Sequence, residues 1–146
     1  MPSHNLTALA APVLVAALLA GCAASAPKPY GGSGGMAAYN ITPDVYTHHY
    51  QHGFTGRDAM GWDANLQWAW SRIGAAKTCG VPYAADKVLA QLIATYGHSE
   101  TAHGMVGIDF HHLQSKGVPG FCSEARVAEV RQQLPAFEMG RFVKRW

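Results

Sequence analysis

Apolar side chains recur at helical spacing along most of the chain beyond residue 42, and this periodicity constrains the fold more than any other feature. In residues 63–77, for example, Leu66, Trp70 and Ile73 are three or four positions apart, which places them on one face of an α-helix. No segment shows sustained alternation of apolar and polar residues, and no hairpin dipeptide joins two β-branched runs. The sequence therefore predicts an all-α fold.

Capping and stop residues divide this region into separate helices. Thr42 with Pro43, Asp63 and Ser99 are typical of helix starts, and Gly97 is typical of a helix end. The predicted helices cover residues 42–53, 63–77, 85–97, 99–117 and 123–134, the last ending before Pro135. We expect a small four- or five-helix bundle, either orthogonal or up-and-down.

The fourth predicted helix carries an apolar stripe that we expect to face the core. The members of this stripe share one helix face and are Ala102, Val106, Phe110 and Leu113. Gly104 and Gly107 interrupt the same segment, and each weakens the helix by about 1 kcal/mol relative to alanine.

The N-terminal region has the pattern of an export signal. Residues 6–20 form a mostly apolar run that is short for a membrane span and has the length typical of the apolar region of a signal peptide. The run ends in Leu19, Ala20, Gly21 and Cys22, and this LAGC resembles the lipobox of bacterial lipoproteins. The first five residues, MPSHN, depart from the usual signal peptide because they contain no Lys or Arg.

The resemblance implies cleavage before Cys22 and acylation of its thiol, which would anchor the chain to a membrane. In lipoprotein families an Asp after the acylated cysteine favours the inner membrane; Ala23 therefore implies the periplasmic face of the outer membrane. We expect a signal peptide in residues 1–21, a flexible tether rich in Gly, Ala, Ser and Pro in residues 22–36, and a helical domain in residues 37–146.

With Cys22 assigned to lipid, two of the three cysteines remain. An exported protein meets oxidising conditions, so we expect Cys79 and Cys122 to form a disulfide. Such a bridge would stabilise the fold by about 4 kcal/mol according to the chain-entropy treatment. It would join the end of the second helix to the start of the last.

Histidines on two helices suggest a metal site. His48 and His52 are four residues apart and share a helix face, while Glu100, His103 and His111 share the face opposite the apolar stripe of the fourth helix. If the bundle brought both faces together, they could bind zinc, copper or nickel. The simpler interpretation is that these histidines are solvated or hydrogen-bonded within the bundle.

Aromatic residues are concentrated in residues 46–70, which makes this region a candidate interface for a partner protein. Trp68 points away from the stripe of its helix and could be an exposed anchor, with Trp62 nearby. The alternative is that the helix is buried on two sides and that Trp68 belongs to the core.

Charge and motifs limit the possible functions. Eleven Lys and Arg against nine Asp and Glu give a net charge of +2, which argues against dedicated nucleic-acid binding. No nucleophile, phosphate-binding or dinucleotide motif is present. We therefore expect a membrane-anchored, non-enzymatic binding or structural component of the cell envelope. A periplasmic metal-binding protein is the alternative, and a cell-wall hydrolase using Asp58 and Asp63 is a distant third.

Overall fold

The computed structural model describes residues 30–32, 34–36, 41–59 and 61–144, with only the backbone of His103. The predicted signal peptide, Cys22 and most of the predicted tether lie outside the described residues. Within these ranges the chain forms five helices and no strand, which confirms the predicted all-α fold. The helices are α1 (Pro43–His52), a short 3₁₀ helix (Gly56–Ala59), α2 (Ala64–Cys79), α3 (Ala85–Lys116) and α4 (Glu124–Phe137).

Side-chain caps begin α2 and α4, whereas the predicted cap Thr42 makes no capping hydrogen bond to α1 and the predicted cap Ser99 lies within α3. Asp63 caps α2 by accepting a hydrogen bond of 2.9 Å from the backbone N–H of Leu66, and Gly80 ends this helix in the left-handed conformation. Ser123 caps α4 by accepting from the backbone N–H of Arg126 at 3.3 Å. These side chains satisfy backbone groups that have no partner within the helix.

One predicted helix end is wrong, because α4 continues through Pro135 to Phe137. Proline inside a helix costs about 3 kcal/mol in isolation. Here the last turn brings Phe137 into the core, where its ring lies edge-on to Trp68 with the centroids 5.2 Å apart. Tertiary packing therefore outweighs the local penalty.

α3 bends sharply at Gly97, whose φ of 84° and ψ of 168° are not helical. Leu89 and Met105 line the same surface groove, whereas a straight helix would separate them by about 24 Å. The two parts of α3 therefore fold back on each other, as expected for separate third and fourth helices. We call residues 85–96 the first arm and residues 98–116 the second arm.

The second arm packs closely against α2 through glycines. A Cβ atom at Gly74 would lie 2.7 Å from the Cβ of His111 and 2.9 Å from the backbone nitrogen of His112. A Cβ at Gly107 would lie 2.6 Å from Cε3 of Trp70, and one at Gly104 would lie 2.7 Å from its Nε1. Because glycine has no side chain, the two backbones approach closely and the indole of Trp70 lies between them.

This packing exposes three of the four members of the apolar stripe that was expected to be buried, Ala102, Val106 and Leu113. Val106 is 70% exposed and Leu113 is 64% exposed, whereas His111 and Ser115 are buried. The predicted core face of the second arm is therefore wrong except at Phe110, which packs partly against the core. The glycine face lies against α2 because Gly104 and Gly107 leave room for the large Trp70 side chain.

The predicted disulfide is present and joins the predicted helix ends. Cys79 is the last residue of α2, Cys122 directly precedes the cap of α4, and their Cα atoms are 5.4 Å apart. Among the described residues, no helix is both long enough and apolar enough to cross a membrane.

Candidate ligand-binding cavity

A cavity of about 280 Å³ lies between α2, the second arm and the segment that contains the 3₁₀ helix. Phe54, Trp62, Trp70 and Phe110 contribute aromatic walls, and the Trp62 and Trp70 rings meet at 69° with centroids 5.4 Å apart. Met36, Val106 and Gly107 complete the apolar lining, and the polar lining residues are Asp58, Gln67 and His111. An aromatic lining with a few polar groups is typical of small-molecule sites.

The glycine contacts described above place Trp70 in the cavity wall. With any larger residue at Gly107, the indole would have to move, because a Cβ there would overlap Cε3 and Cδ2. The shape of the cavity thus depends on Gly107. Glycine lowers the helix propensity of the second arm at this position, but it leaves the space that the indole occupies.

Residues 30–36, predicted as the end of a flexible tether, contact the domain where they are described. Met36 is buried in the cavity wall, and its backbone N–H donates to Oδ1 of Asp58 at 3.3 Å. The hydroxyl of Tyr30 lies 2.9 Å from Nε2 of His49 and 3.3 Å from Oδ2 of Asp58. The described end of the predicted tether is therefore part of the folded domain.

Asp58 and His49 form a buried pair behind the cavity. Nε2 of His49 lies 2.9 Å from Oδ2 of Asp58, and Nδ1 lies 3.0 Å from the carbonyl oxygen of Gly53. Both ring nitrogens of His49 thus have partners inside the domain. The Asp58 carboxylate that lines the cavity likewise has its hydrogen-bond partners within the protein.

His111 lines the cavity as a neutral imidazole. Burial, with a smaller contribution from the nearby Arg72 guanidinium, lowers the pKa of His111 to about 3. Its Nδ1 lies 3.2 Å from the hydroxyl of Tyr46, which also donates to the carbonyl oxygen of His111 at 3.1 Å. This residue therefore brings no positive charge to the cavity at neutral pH.

Two polar atoms beside the cavity have no hydrogen-bond partner among the described residues. Gln67 donates through Nε2 to the carbonyl oxygen of Ala59 at 2.7 Å, but its Oε1 is buried without a donor. Nε1 of Trp70 is likewise buried without an acceptor. Gln67 and Trp70 are 5% and 3% exposed, and each unpaired atom costs about 1–3 kcal/mol.

The predicted metal ligands whose side chains are described are not gathered into one cluster. His48 and His52 share a face of α1 with stacked rings 4.5 Å apart, whereas His111 is buried against Tyr46 and Glu100 is exposed. The side chain of His103 lies outside the described residues. In the described part of the chain, no three His, Cys, Asp or Glu side chains are placed to hold one metal ion. Metal binding stays a prediction.

The aromatic region turns out to be mostly core. Trp68 is only 1% exposed, so the interpretation of this residue as an exposed anchor is wrong. The structure instead confirms the alternative interpretation, in which α2 is buried on two sides. Trp62 is half-buried and lines the cavity. A partner protein would therefore find little aromatic surface in residues 46–70.

Asp58 and Asp63, considered as a hydrolase pair, have other structural roles. Asp63 caps α2, and both oxygens of Asp58 accept hydrogen bonds within the domain. Sequence reasoning missed His49, Gln67 and Trp70 as site residues. The burial of His49 could have been predicted from the sequence, because His49 lies on the buried face of α1 with Val45, Tyr46 and Tyr50. No sequence pattern indicated a role for Gln67.

Comparison with known proteins adds no assignment. No known protein family, no characterised protein and no solved structure is significantly similar to this chain.

Proposed function

We propose that this chain is a cell-envelope lipoprotein whose helical domain binds a small apolar molecule in the cavity beside Trp70. The observation that carries the proposal is the cavity itself. It combines four aromatic side chains with a paired carboxylate and a neutral imidazole. Such a lining favours the burial of an apolar ligand, because it contributes contact area without an unpaired charge.

The role is binding and not catalysis. The buried His49–Asp58 pair is the strongest candidate for acid–base chemistry, but His49 is 1% exposed and both of its ring nitrogens have partners in the domain. A general base needs a ring nitrogen within reach of substrate. The pair instead holds the 3₁₀ helix, Tyr30 and Met36 against α1, which shapes the cavity.

Equilibrium dialysis of the full-length protein against naphthalene tests ligand binding. The protein and its variants are measured in the same detergent, so that partition of naphthalene into micelles cancels. Val106→Trp adds a ring at the cavity rim, and Leu113→Trp adds the same ring at another exposed position of the second arm. We expect naphthalene to bind the wild type and Leu113→Trp, and to bind Val106→Trp at least about tenfold more weakly.

Equal binding to the two tryptophan variants would place naphthalene elsewhere and reject the cavity as the site. An absence of binding to the wild type would reject the proposed function.

Anchoring is tested separately through Cys22. The LAGC sequence supports acylation at this residue, and acyl chains contribute about 0.8 kcal/mol for each buried methylene. We expect the wild type to incorporate labelled palmitate and to sediment with membranes, and Cys22→Ser to do neither. A Cys22→Ser variant that still carries label would reject lipidation at this position.

A further inference from the structure

We infer that the cavity selects a neutral, flat aromatic molecule of about two fused rings that carries one hydroxyl group. This inference rests on the proposed function and adds the chemical class of the ligand. It is carried by the volume of the cavity, by the charges of its lining and by the two unpaired polar atoms beside it.

The volume sets the size of the ligand. An engineered apolar cavity of roughly 150 Å³ accommodates benzene. The present cavity, at about 280 Å³, is close to twice that size. Its walls are aromatic rings, and the Trp62 and Trp70 rings form a corner at 69°. A flat bicyclic body can lie face-on to one of these rings and edge-on to the other, which are the preferred aromatic geometries.

The lining excludes a charged ligand. No Lys or Arg is among the described residues that line the cavity, and Asp58, the only carboxylate among them, is paired with His49 at 2.9 Å. A carboxylate or ammonium group on the ligand would lose its hydration without gaining an unpaired counter-charge. Burial of a charge under these conditions is unfavourable, so the ligand is neutral.

The unpaired atoms define the polar group. Oε1 of Gln67 needs a donor and Nε1 of Trp70 needs an acceptor. These two residues are three positions apart on α2, which places both on the side of the helix that faces the cavity. A hydroxyl group is a donor and an acceptor at once, so it is the smallest group that matches both needs.

Equilibrium dialysis with a matched ligand series tests the inference: naphthalene, 2-naphthol and 2-naphthoate, each against the full-length protein. We expect 2-naphthol to bind about tenfold or more tightly than naphthalene, because it completes hydrogen bonds that the hydrocarbon leaves unmade. We expect 2-naphthoate to bind more weakly than either neutral compound.

Equal affinity for 2-naphthol and naphthalene would overturn the hydroxyl inference but leave the proposed function intact. Tightest binding of 2-naphthoate would overturn the inference of a neutral ligand. Failure of all three to bind would reject the proposed function as well.

Two variants each remove one of the inferred hydrogen bonds, and a third variant serves as the control. Trp70→Phe removes the indole N–H while keeping an aromatic ring, and Gln67→Met removes the amide at similar length. Trp68→Phe is the control, because Nε1 of Trp68 is also buried and unpaired but Trp68 does not line the cavity. The measured quantity is the ratio of the 2-naphthol and naphthalene affinities. A general loosening of the cavity would weaken the binding of both compounds and leave this ratio unchanged.

We expect this ratio to fall at least about threefold in Trp70→Phe and in Gln67→Met, and to stay unchanged in Trp68→Phe. An unchanged ratio in Gln67→Met, or an equal fall in the Trp68→Phe control, would overturn the inference. Gln67→Met keeps the test decisive if Trp70→Phe fails to fold.

Discussion

Replacement of Gly74 by alanine tests the contact between α2 and the second arm, because two physical effects change the free energy of unfolding in opposite directions. In an exposed helix the change would stabilise the protein by about 1 kcal/mol, since alanine has the higher helix propensity. In this structure the new Cβ would meet the Cβ of His111 at 2.7 Å, the backbone nitrogen of His112 at 2.9 Å and the carbonyl carbon of His111 at 3.0 Å. Favourable carbon contacts need about 3.5–4.0 Å.

The overlap cannot be relieved by a rotamer change, because two of the three atoms belong to the backbone of the second arm. The arm must move away from α2 by about 1 Å, and overpacking of this kind costs about 1–3 kcal/mol or more. Three contacts at 2.7, 2.9 and 3.0 Å place the overlap at the upper end of this range, about 3 kcal/mol. After a gain of about 1 kcal/mol in helix propensity, we expect Gly74→Ala to lower the free energy of unfolding by about 2 kcal/mol. The melting temperature should fall by about 10 °C in a domain of this size.

Urea unfolding followed by tryptophan fluorescence, with the disulfide intact, measures the change. Ala128→Gly in α4 is the control, because Ala128 is exposed and its replacement should cost only the propensity difference of about 1 kcal/mol. Stabilisation by Gly74→Ala, together with destabilisation by Ala128→Gly, would refute the close helix contact.

Three further predictions concern the disulfide, the buried imidazole and the histidine pair. Double replacement of Cys79 and Cys122 by serine removes a bridge across 43 residues and should lower the free energy of unfolding by about 4 kcal/mol; an unchanged urea midpoint would contradict this. His111 is neutral when folded, with a pKa of about 3. In the unfolded chain this histidine has the ordinary pKa of about 6.5, so below that pH it is protonated only when the protein is unfolded. The free energy of unfolding therefore falls by up to about 1.4 kcal/mol per pH unit as the pH decreases from about 6.5 toward 3. His111→Gln should flatten the dependence measured between about pH 6 and pH 4, and an equal slope in the variant would show that other groups cause it. If His48 and His52 bind zinc, added zinc should raise the melting temperature and His52→Ala should abolish the rise; no rise in the wild type would reject the metal prediction.

Part of the candidate site was predictable and part was not. The pattern in α1 places His49 beside Tyr46 and Tyr50, so its burial could have been read from the helical periodicity. Its partner Asp58 could not, because the 3₁₀ helix that carries Asp58 has no periodic signal. A role for the polar atoms of Gln67 and Trp70 could not be predicted either, because the cavity beside them is formed by residues from distant parts of the chain.

The sequence by itself determined the helical class, the cap at Asp63, the interruption at Gly97 and the pairing of Cys79 with Cys122. These features depend on local backbone chemistry and, for the disulfide, on the number of cysteines left for pairing. Only the tertiary structure decided which face of the second arm is buried. Hydrophobicity favoured Val106 and Leu113, but the missing side chains of Gly104 and Gly107 admit the indole of Trp70. Apolar periodicity measures the side chains that a helix carries, whereas close packing also depends on the space that it leaves for a neighbour.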